Sequence, residues 1–275
     1  FFTEGTDLFS KGNLFYSRRI GGRPTGRLNL EVNEKIAEKP TTVGLLNALK
    51  VSGRTKDGLG IGVLNAVTEN TYAIILDTIT GRTRQQIIEP IANYNIIVFD
   101  QRFRKNSSFS FINTNVTRNG GFRDANVSAV IWDLNTKANT FNLQGNFKYS
   151  HVNDINENRN GISSFLEISK TSGKYRYGIG SDVLTKKFDN NDLGINFQTN
   201  YYSLYANGSY RILNPNKHFN RFNLNTNFYN EFQIETGKIQ TSNLNINLNI
   251  GTKKNNAYGS YIYSNPLETY DYYEP

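Results

Sequence analysis

Hydrophobic and polar residues alternate along most of the chain from residue 41 onward. In residues 141–150, Phe, Leu, Gly, Phe and Tyr alternate with Asn, Gln, Asn, Lys and Ser. The same alternation occurs in residues 193–201, 222–229 and 243–250. Because successive residues of a β-strand point to opposite faces, each run predicts a strand with one apolar and one polar face.

Short polar segments separate these runs and predict tight turns, and two longer polar stretches predict loops. Hairpins joined in this way are typical of an antiparallel up-and-down sheet. We therefore predict an all-β fold with about eleven or twelve strands between residues 41 and 263. The predicted turns and loops are 55–58, 119–121, 153–161, 171–174, 213–220, 235–238 and 253–256.

The length and chemistry of the runs favour strands that cross a membrane. The runs extend over about 9–14 residues, whereas soluble strands average about five or six and bilayer-spanning strands need about 9–11. The chain contains 40 Asn, and uncharged amides suit a wet barrel interior. We predict an antiparallel up-and-down transmembrane β-barrel, with a soluble β-sandwich or a long soluble sheet as the alternative. Tyrosines near the run ends suit the aromatic girdles of such barrels: Tyr201, Tyr202, Tyr229, Tyr261 and Tyr263.

Residues 1–40 differ from the rest of the chain. They hold glycine and proline breakers, four arginines and an aromatic cluster, and they predict irregular structure with at most a short strand at 14–20. Residues 41–275 carry the barrel strands. An open sheet edge is costly inside a bilayer, and no strand is predicted after the last hairpin. Either the chain closes on itself with about twelve strands, or it is part of a barrel that continues beyond residue 275, which is the expectation that we favour.

The most site-like cluster lies in this first segment. Its arginines and aromatic side chains predict a plug folded into the barrel, with the arginines paired to wall carboxylates or facing an anionic ligand. The alternative is an arginine-rich periplasmic segment that leads into the barrel. The candidate ligand or plug residues are Phe15, Tyr16, Arg18, Arg19, Arg23 and Arg27.

The composition excludes several kinds of chemistry. There is no Cys, so disulfide and thiolate chemistry are ruled out, and His151 and His218 are too far apart in sequence to suggest a metal site. We expect no metal and no cofactor. The net charge of +8 suggests contact with the head groups of outer-membrane lipid and lipopolysaccharide. No basic recognition helix predicts nucleic-acid binding.

No catalytic constellation is recognisable in the sequence. Asp189 with Asp192, and Asp154 with Glu157, lie in predicted loops, where carboxylates are usually solvated rather than tuned as a glycosidase pair. The glycines at 58–62 have the wrong spacing for a nucleotide-binding loop and instead predict small residues on one barrel face. We therefore expect the chain not to be an enzyme.

Several runs carry a family resemblance. The most specific is Phe-Tyr-Ser-Arg-Arg-Ile-Gly at 15–21, and others lie at 1–9, 48–55, 62–68, 89–90 and 268–275. Together they resemble an uncharacterised outer-membrane barrel family of Bacteroidota, whose members usually carry an N-terminal carbohydrate-binding domain similar to family nine. The resemblance implies the outer membrane of a Gram-negative bacterium, export by a signal peptide outside this sequence, and glycan-related work. It supplies no catalytic residues.

Three functions follow as alternatives. The first is an outer-membrane barrel that passes or binds a glycan-related solute, which the amide-rich polar face supports. The second is a structural or accessory subunit of a larger outer-membrane complex for secretion, uptake or barrel insertion. The third is a surface glycan-degrading enzyme, which would act through a domain upstream of residue 1.

Overall fold

The alternating runs form β-strands in the computed structural model, which describes residues 7–155, 157–212, 214–254 and 256–271. Within these ranges the chain has 15 strands and two 3-10 helices of three residues each. No helix in the described part of the chain is long and apolar enough to cross a bilayer. The ends of two family-like runs, residues 1–6 and 272–275, lie outside the described residues.

The strands are numbered in chain order and contain from 5 to 15 residues. The two 3-10 helices, Lys11–Asn13 and Ser17–Arg19, precede all of them. The strands are β1 Glu34–Glu38, β2 Leu45–Arg54, β3 Leu59–Thr68, β4 Thr71–Asp77, β5 Thr83–Glu89, β6 Ala92–Phe103, β7 Ser107–Arg118, β8 Asp124–Asn135, β9 Phe141–Asn153, β10 Asn158–Lys170, β11 Tyr175–Leu184, β12 Tyr201–Ile212, β13 Phe219–Gln233, β14 Ile239–Thr252 and β15 Ala257–Ser264.

These strands form two antiparallel sheets. The larger has 12 strands in the order β2-β3-β6-β7-β8-β9-β10-β11-β12-β13-β14-β15, and the smaller has three in the order β1-β4-β5. Strands adjacent in the larger sheet also follow one another in sequence, apart from the excursion of β4 and β5. The predicted all-β antiparallel fold is therefore confirmed. Among the described strands, β2 and β15 form the two edges of the larger sheet, and a closed barrel is not observed.

The strand registers give β9 to β14 one apolar and one polar face, whereas both faces of β3, β6, β7 and β8 carry large apolar side chains. Phe228 on β13 lies beside Leu244 on β14, whereas the adjacent Asn227 lies beside Asn245. We call the face of Phe228 the outer face and the face of Asn227 the inner face. Nδ2 of Asn227 donates to Oδ1 of Asn245 at 2.8 Å. Local alternation thus decides which side chains share a face.

Residues 8–20 cover part of the inner face. Phe9 and Leu14 are fully buried in one apolar cluster with side chains of β3, β6, β7, β8 and β11. Gly62 of β3 makes room for this segment, since a Cβ there would lie 3.0 Å from Cζ of Phe9. Because strands far apart in the sheet border the same cluster, the sheet curves around the segment.

The strand predicted in residues 193–200 is wrong, and the short strand that the sequence allowed at 14–20 does not form. In residues 14–20 the backbone turns instead, and the amide of Arg19 donates to the carbonyl of Tyr16 at 3.0 Å. Residues 193–200 form no strand because Leu193 is buried in the apolar cluster and its carbonyl accepts a hydrogen bond from the amide of Tyr16 at 2.6 Å. Tertiary contacts there override the local alternation.

The strand count and the boundary at residue 40 also need correction. The described part of the chain has 14 strands, β2 to β15, after residue 41. Twelve of them form the larger sheet, and β4 and β5 belong to the smaller one. Residues 1–40 are not wholly irregular, since β1 pairs with β4 in the smaller sheet. Residues 1–40 therefore contribute one strand to the smaller sheet, and the alternating pattern did not predict that a second sheet exists.

Candidate functional site

A cavity of about 400 Å³ lies at one end of the larger sheet, where the loop after β11 meets the N-terminal segment. Three of the six predicted ligand or plug residues line it: Arg18, Arg19 and Arg23. All three are exposed. The 3-10 helix Ser17–Arg19 places the first two, and Nε of Arg19 donates to the carbonyl of Gly194 at 3.0 Å.

The other three predicted residues lie outside this cavity. Phe15 packs edge-on against Phe9, with ring centroids 6.3 Å apart. Tyr16 is 38% exposed. Arg27 is exposed, and its carbonyl accepts a hydrogen bond from Nε2 of Gln86 at 3.0 Å. The structure therefore brings the arginines nearest the 3-10 helix together and separates them from the aromatic side chains.

The opposite wall of the cavity is an ion-pair network. Nε of Arg118, at the end of β7, lies 2.8 Å from Oε1 of Glu89, and its Nη1 lies 2.9 Å from Oδ1 of Asp192. Nη2 of Arg123 lies 2.6 Å from Oδ2 of Asp192 and 2.9 Å from Oδ2 of Asp189. The side chains of Arg118 and Glu89 are 5% and 3% exposed. Removing one partner would leave a buried charge, at a cost of about 3–5 kcal/mol.

Asp189 and Asp192 are therefore not the solvated loop carboxylates that the sequence predicted. Burial raises the pKa of Asp189, but the backbone amide of Asn191 and the charge of Arg123 outweigh burial and hold that pKa below its usual value. Burial lowers the pKa of Arg123, but its hydrogen bonds and charge interactions with the two aspartates raise it above its usual value. A glycosidase acid needs a raised pKa, and the lowered pKa of Asp189 does not fit that role. Its carboxylate instead holds the guanidinium of Arg123.

Asp154 and Glu157, the other pair of loop carboxylates considered from the sequence, also bind cationic side chains. Oδ2 of Asp154 lies 3.4 Å from Nη2 of Arg159. Glu157 forms an ion pair with Lys187, and the hydrogen bond and charge of that lysine hold the pKa of Glu157 below its usual value. Both carboxylates thus stabilise the loops after β9 and β11.

A second polar surface lies on the inner face of β10 to β13. It contains three tyrosine–carboxylate hydrogen bonds, from Tyr201 to Asp182 at 3.0 Å, Tyr205 to Glu167 at 2.6 Å, and Tyr229 to Glu231 at 2.7 Å. A cavity of about 190 Å³ lies beside Tyr201. This surface combines amide, hydroxyl and carboxylate groups, which suits hydrogen bonding to a polyhydroxylated molecule.

These positions correct part of the predicted aromatic girdle. Tyr201 and Tyr229 face inward, as do Tyr261 and Tyr263, which pair with the inner-face residues Asn247 and Asn245. Of the five tyrosines in the prediction, Tyr202 lies on the outer face, where it stacks on Phe232 with ring centroids 4.8 Å apart.

Sequence reasoning did not select Glu89, Arg118 or Arg123. They lie at or just beyond strand ends, where alternation carries little information. The sequence did contain one signal for Arg118. This residue continues the alternating positions of Ile112 and Val116, which face inward on β7. A charge in such a series indicates a buried partner.

These features define an all-β protein with a large antiparallel sheet, an N-terminal segment packed on its inner face and an ionic cavity at one end. The chain belongs to the family described as a domain of unknown function, DUF5916, whose model matches residues 1–275. This agrees with the predicted membership of an uncharacterised family. No curated protein matches the chain significantly.

Proposed function

We propose that this chain forms the wall of an outer-membrane β-barrel, and that its inner face binds or passes a glycan-related solute. The surroundings would be the lipid and lipopolysaccharide of a Bacteroidota-like Gram-negative outer membrane. A carbohydrate-binding domain upstream would fit the same role. The observation that carries the proposal is an exposed apolar outer face opposite an inner face that is rich in amides on β9, β13 and β14.

Large apolar side chains are exposed across the outer face. Phe147, Ile168 and Ile179 are 46%, 52% and 60% exposed. Charged residues of this face stand at strand ends, as Asp124 on β8 and Lys170 on β10 do. In water such a broad apolar surface is rare and marks a contact surface. Against lipid it is favourable, whereas a charge at mid-membrane costs about 2–4 kcal/mol.

Asparagines border this apolar surface at the end of the sheet that carries the ionic cavity. Nδ2 of Asn65 donates to Oδ1 of Asn95 at 2.8 Å, and Nδ2 of Asn113 donates to Oδ1 of Asn126 at 3.0 Å. Paired amides satisfy one another's hydrogen-bonding groups. They therefore suit the margin where a barrel wall leaves the hydrocarbon and meets the polar head groups.

The inner face supports the solute part of the proposal. On β13 and β14, asparagines lie in neighbouring pairs, as Asn225 with Asn247 and Asn223 with Asn249. Amides offer donors and acceptors without charge, and the hydrogen-bonded tyrosines of β12 and β13 add aromatic rings. A few placed polar groups among aromatic side chains are typical of small-molecule sites.

The position of the N-terminal segment supports a role as a plug. Phe9, Leu14 and Ile20 are buried against β3, β6, β7 and β8, so residues 8–20 fill this side of the curved sheet. The inner surface of β10 to β14 is then the part left for a solute. We propose that the segment is held in place while the solute binds there.

A structural subunit of a larger outer-membrane complex is the second candidate function. Among the described strands, β2 and β15 each have a free edge. Exposed strand edges pair readily with a further strand, and within a bilayer every backbone group needs a partner. A partner protein that supplies strands would meet this need.

The membrane location can be tested with Trp132, the single tryptophan of the chain. Trp132 lies on the outer face beside Gly145 of β9. In reconstituted vesicles, brominated lipids should quench its fluorescence and aqueous iodide should not. The reverse result would overturn the proposal. The control variant combines Trp132→Phe with Gln144→Trp, which moves the indole to the inner face of β9 and should abolish quenching by lipid.

Solute binding can be tested by calorimetric titration of the intact protein with neutral oligosaccharides. We expect saturable binding that weakens when Tyr205→Phe and Tyr229→Phe remove two inner hydroxyls. Tyr202→Phe, on the outer face, is the matched control and should bind normally. If no oligosaccharide binds and the protein purifies in mild detergent with a stoichiometric partner, the subunit function replaces the solute function.

A further inference from the structure

We propose that the cavity lined by Arg18, Arg19 and Arg23 binds a small molecule that carries an oxyanion, either a phosphate or a carboxylate. The cavity lies at the end of the sheet, apart from the tyrosine and amide surface of β10 to β13. The inference therefore goes beyond the proposed binding of a neutral solute and does not depend on it.

The charge of the cavity lining favours an anion. Five arginines and three carboxylates line it, so its formal charge is two positive. The arginines are Arg18, Arg19, Arg23, Arg118 and Arg123, and the carboxylates are Glu89, Asp189 and Asp192.

The oxygens of Glu89 and Asp192 are already occupied as hydrogen-bond acceptors. Oε1 of Glu89 accepts from Arg118, and its Oε2 accepts from both the amide and the hydroxyl of Thr25 at 2.8 Å. Oδ1 of Asp192 accepts from Arg118 at 2.9 Å, and its Oδ2 accepts from Arg123 at 2.6 Å. Neither carboxylate is directed at the arginines of the N-terminal segment.

Asp189 is occupied in the same way. Its Oδ1 accepts from the backbone amide of Asn191 at 3.0 Å, and its Oδ2 accepts from Arg123 at 2.9 Å. The three carboxylates are therefore held by Arg118 and Arg123 within the wall, and Asp189 also by Arg159, whose Nη2 lies 3.5 Å from its Oδ2. The facing arginines form no ion pair with a carboxylate among the residues that the structure describes, and the lining keeps its net charge of two positive.

The facing guanidinium groups are available to a ligand. Arg18 and Arg23 have no hydrogen-bond or ion-pair partner among the residues that the structure describes. Nε of Arg19 donates a hydrogen bond to the carbonyl of Gly194. This bond fixes the guanidinium and leaves its two Nη groups available to a ligand. The planar fork of arginine matches carboxylate and phosphate in a bidentate geometry.

The size of the cavity limits the ligand to a small molecule. Its volume of about 400 Å³ falls within the range of about 300–1,000 Å³ that is usual for small-molecule pockets. A sugar phosphate or a uronic acid fits this size and supplies the oxyanion. Inorganic phosphate is the smallest probe of the same chemistry.

The test is calorimetric titration of the intact protein with inorganic phosphate, glucose 6-phosphate and glucuronate, with glucose as the neutral probe. We expect saturable binding of at least one anionic probe, weakening as salt is raised, and no binding of glucose at this site. Comparing phosphate with glucuronate distinguishes the two oxyanions. If none of the three anions binds, the proposal is wrong.

Variants assign the binding to the cavity. Arg18→Gln together with Arg23→Gln should weaken the anion by roughly tenfold for each arginine removed, as expected for lost charge-assisted hydrogen bonds. Arg27→Gln is the matched control, because Arg27 is exposed but lies outside the cavity. Thermal unfolding of the double variant should be unchanged, since neither side chain has a described partner. Equal affinity in the double variant and the native protein would overturn the proposal.

Discussion

Nζ of Lys11 lies 3.1 Å from Oδ1 of Asp100, and this ion pair joins the N-terminal segment to β6. The Asp100 side chain is fully buried, whereas that of Lys11 is 25% exposed. Asp100 also accepts a hydrogen bond from Oγ of Ser110 at 2.7 Å and forms an ion pair with Arg54. A buried carboxylate with these partners anchors residues 8–20 at the end of the sheet opposite the ionic cavity.

Asp100→Asn should loosen the N-terminal segment. The variant keeps the shape of the side chain but removes the charge that Lys11 faces, at a cost of about 2 kcal/mol. Hydrogen exchange at the amides of residues 8–14 should therefore become faster by roughly 30-fold. Asp57→Asn, in the exposed turn after β2, is the control and should leave that exchange unchanged. Unaltered exchange in Asp100→Asn would show that the ion pair does not hold the segment.

Gly161→Ala should destabilise the protein. A Cβ on Gly161 would lie 2.2 Å from Cα of the buried Phe188, so the loop after β11 would have to move, at about 1–3 kcal/mol. Gly208→Ala is the matched control, because a Cβ on Gly208 meets no atom within 4 Å. Urea unfolding should show a lower midpoint for Gly161→Ala alone. Equal midpoints for both variants would contradict the packing of this loop.

Phe147→Arg should destabilise the protein in lipid. Phe147 lies on the outer face near the middle of β9, and a lipid-facing arginine at that depth costs about 2–4 kcal/mol. Gln144→Arg, on the inner face of the same strand beside Asp133, should fold normally. Unfolding in vesicles measures both effects. If both variants have the stability of the native protein, the outer face does not meet hydrocarbon.

The smaller sheet should lose stability in acid. The hydrogen bond from Arg84 and the backbone amide of Glu31 lower the pKa of Glu34 from 4.5 to about 2. Because this pKa is lower in the folded than in the unfolded chain, the contribution is full above about pH 4.5 and is lost as the pH falls toward 2.

Hydrogen exchange of β1 and β4 amides across this pH range measures the effect. Glu34→Gln should reduce the loss of protection in acid, and the part that remains belongs to Asp77, whose pKa is lowered by the backbone amides of Thr80 and Ile79. Glu31→Gln should keep the full loss, because Glu31 acts through its backbone amide. A loss of protection in Glu34→Gln equal to that of the native protein would assign the effect to another group.

The sequence alone predicted the strands and their faces. The runs at 141–150, 222–229 and 243–250 lie within β9, β13 and β14, and the asparagines of the last two share the inner face. The prediction of these strands is confirmed because the period of two is a property of the local backbone. It can therefore be read from consecutive residues without knowing the tertiary structure. Residues 193–200 show its limit, since burial of Leu193 there overrides the same pattern.

The tertiary structure alone decided the ionic cavity. Arg118 and Asp192 are 74 residues apart in sequence, and Arg19 reaches Gly194 over a separation of 175 residues. The arginines of the first segment were recognisable as a cluster, but their separation from Phe15 and Tyr16 was not. Which strand ends and loops meet depends on the curvature of the sheet around residues 8–20, and this curvature is set by packing over its whole width rather than by any local run of residues.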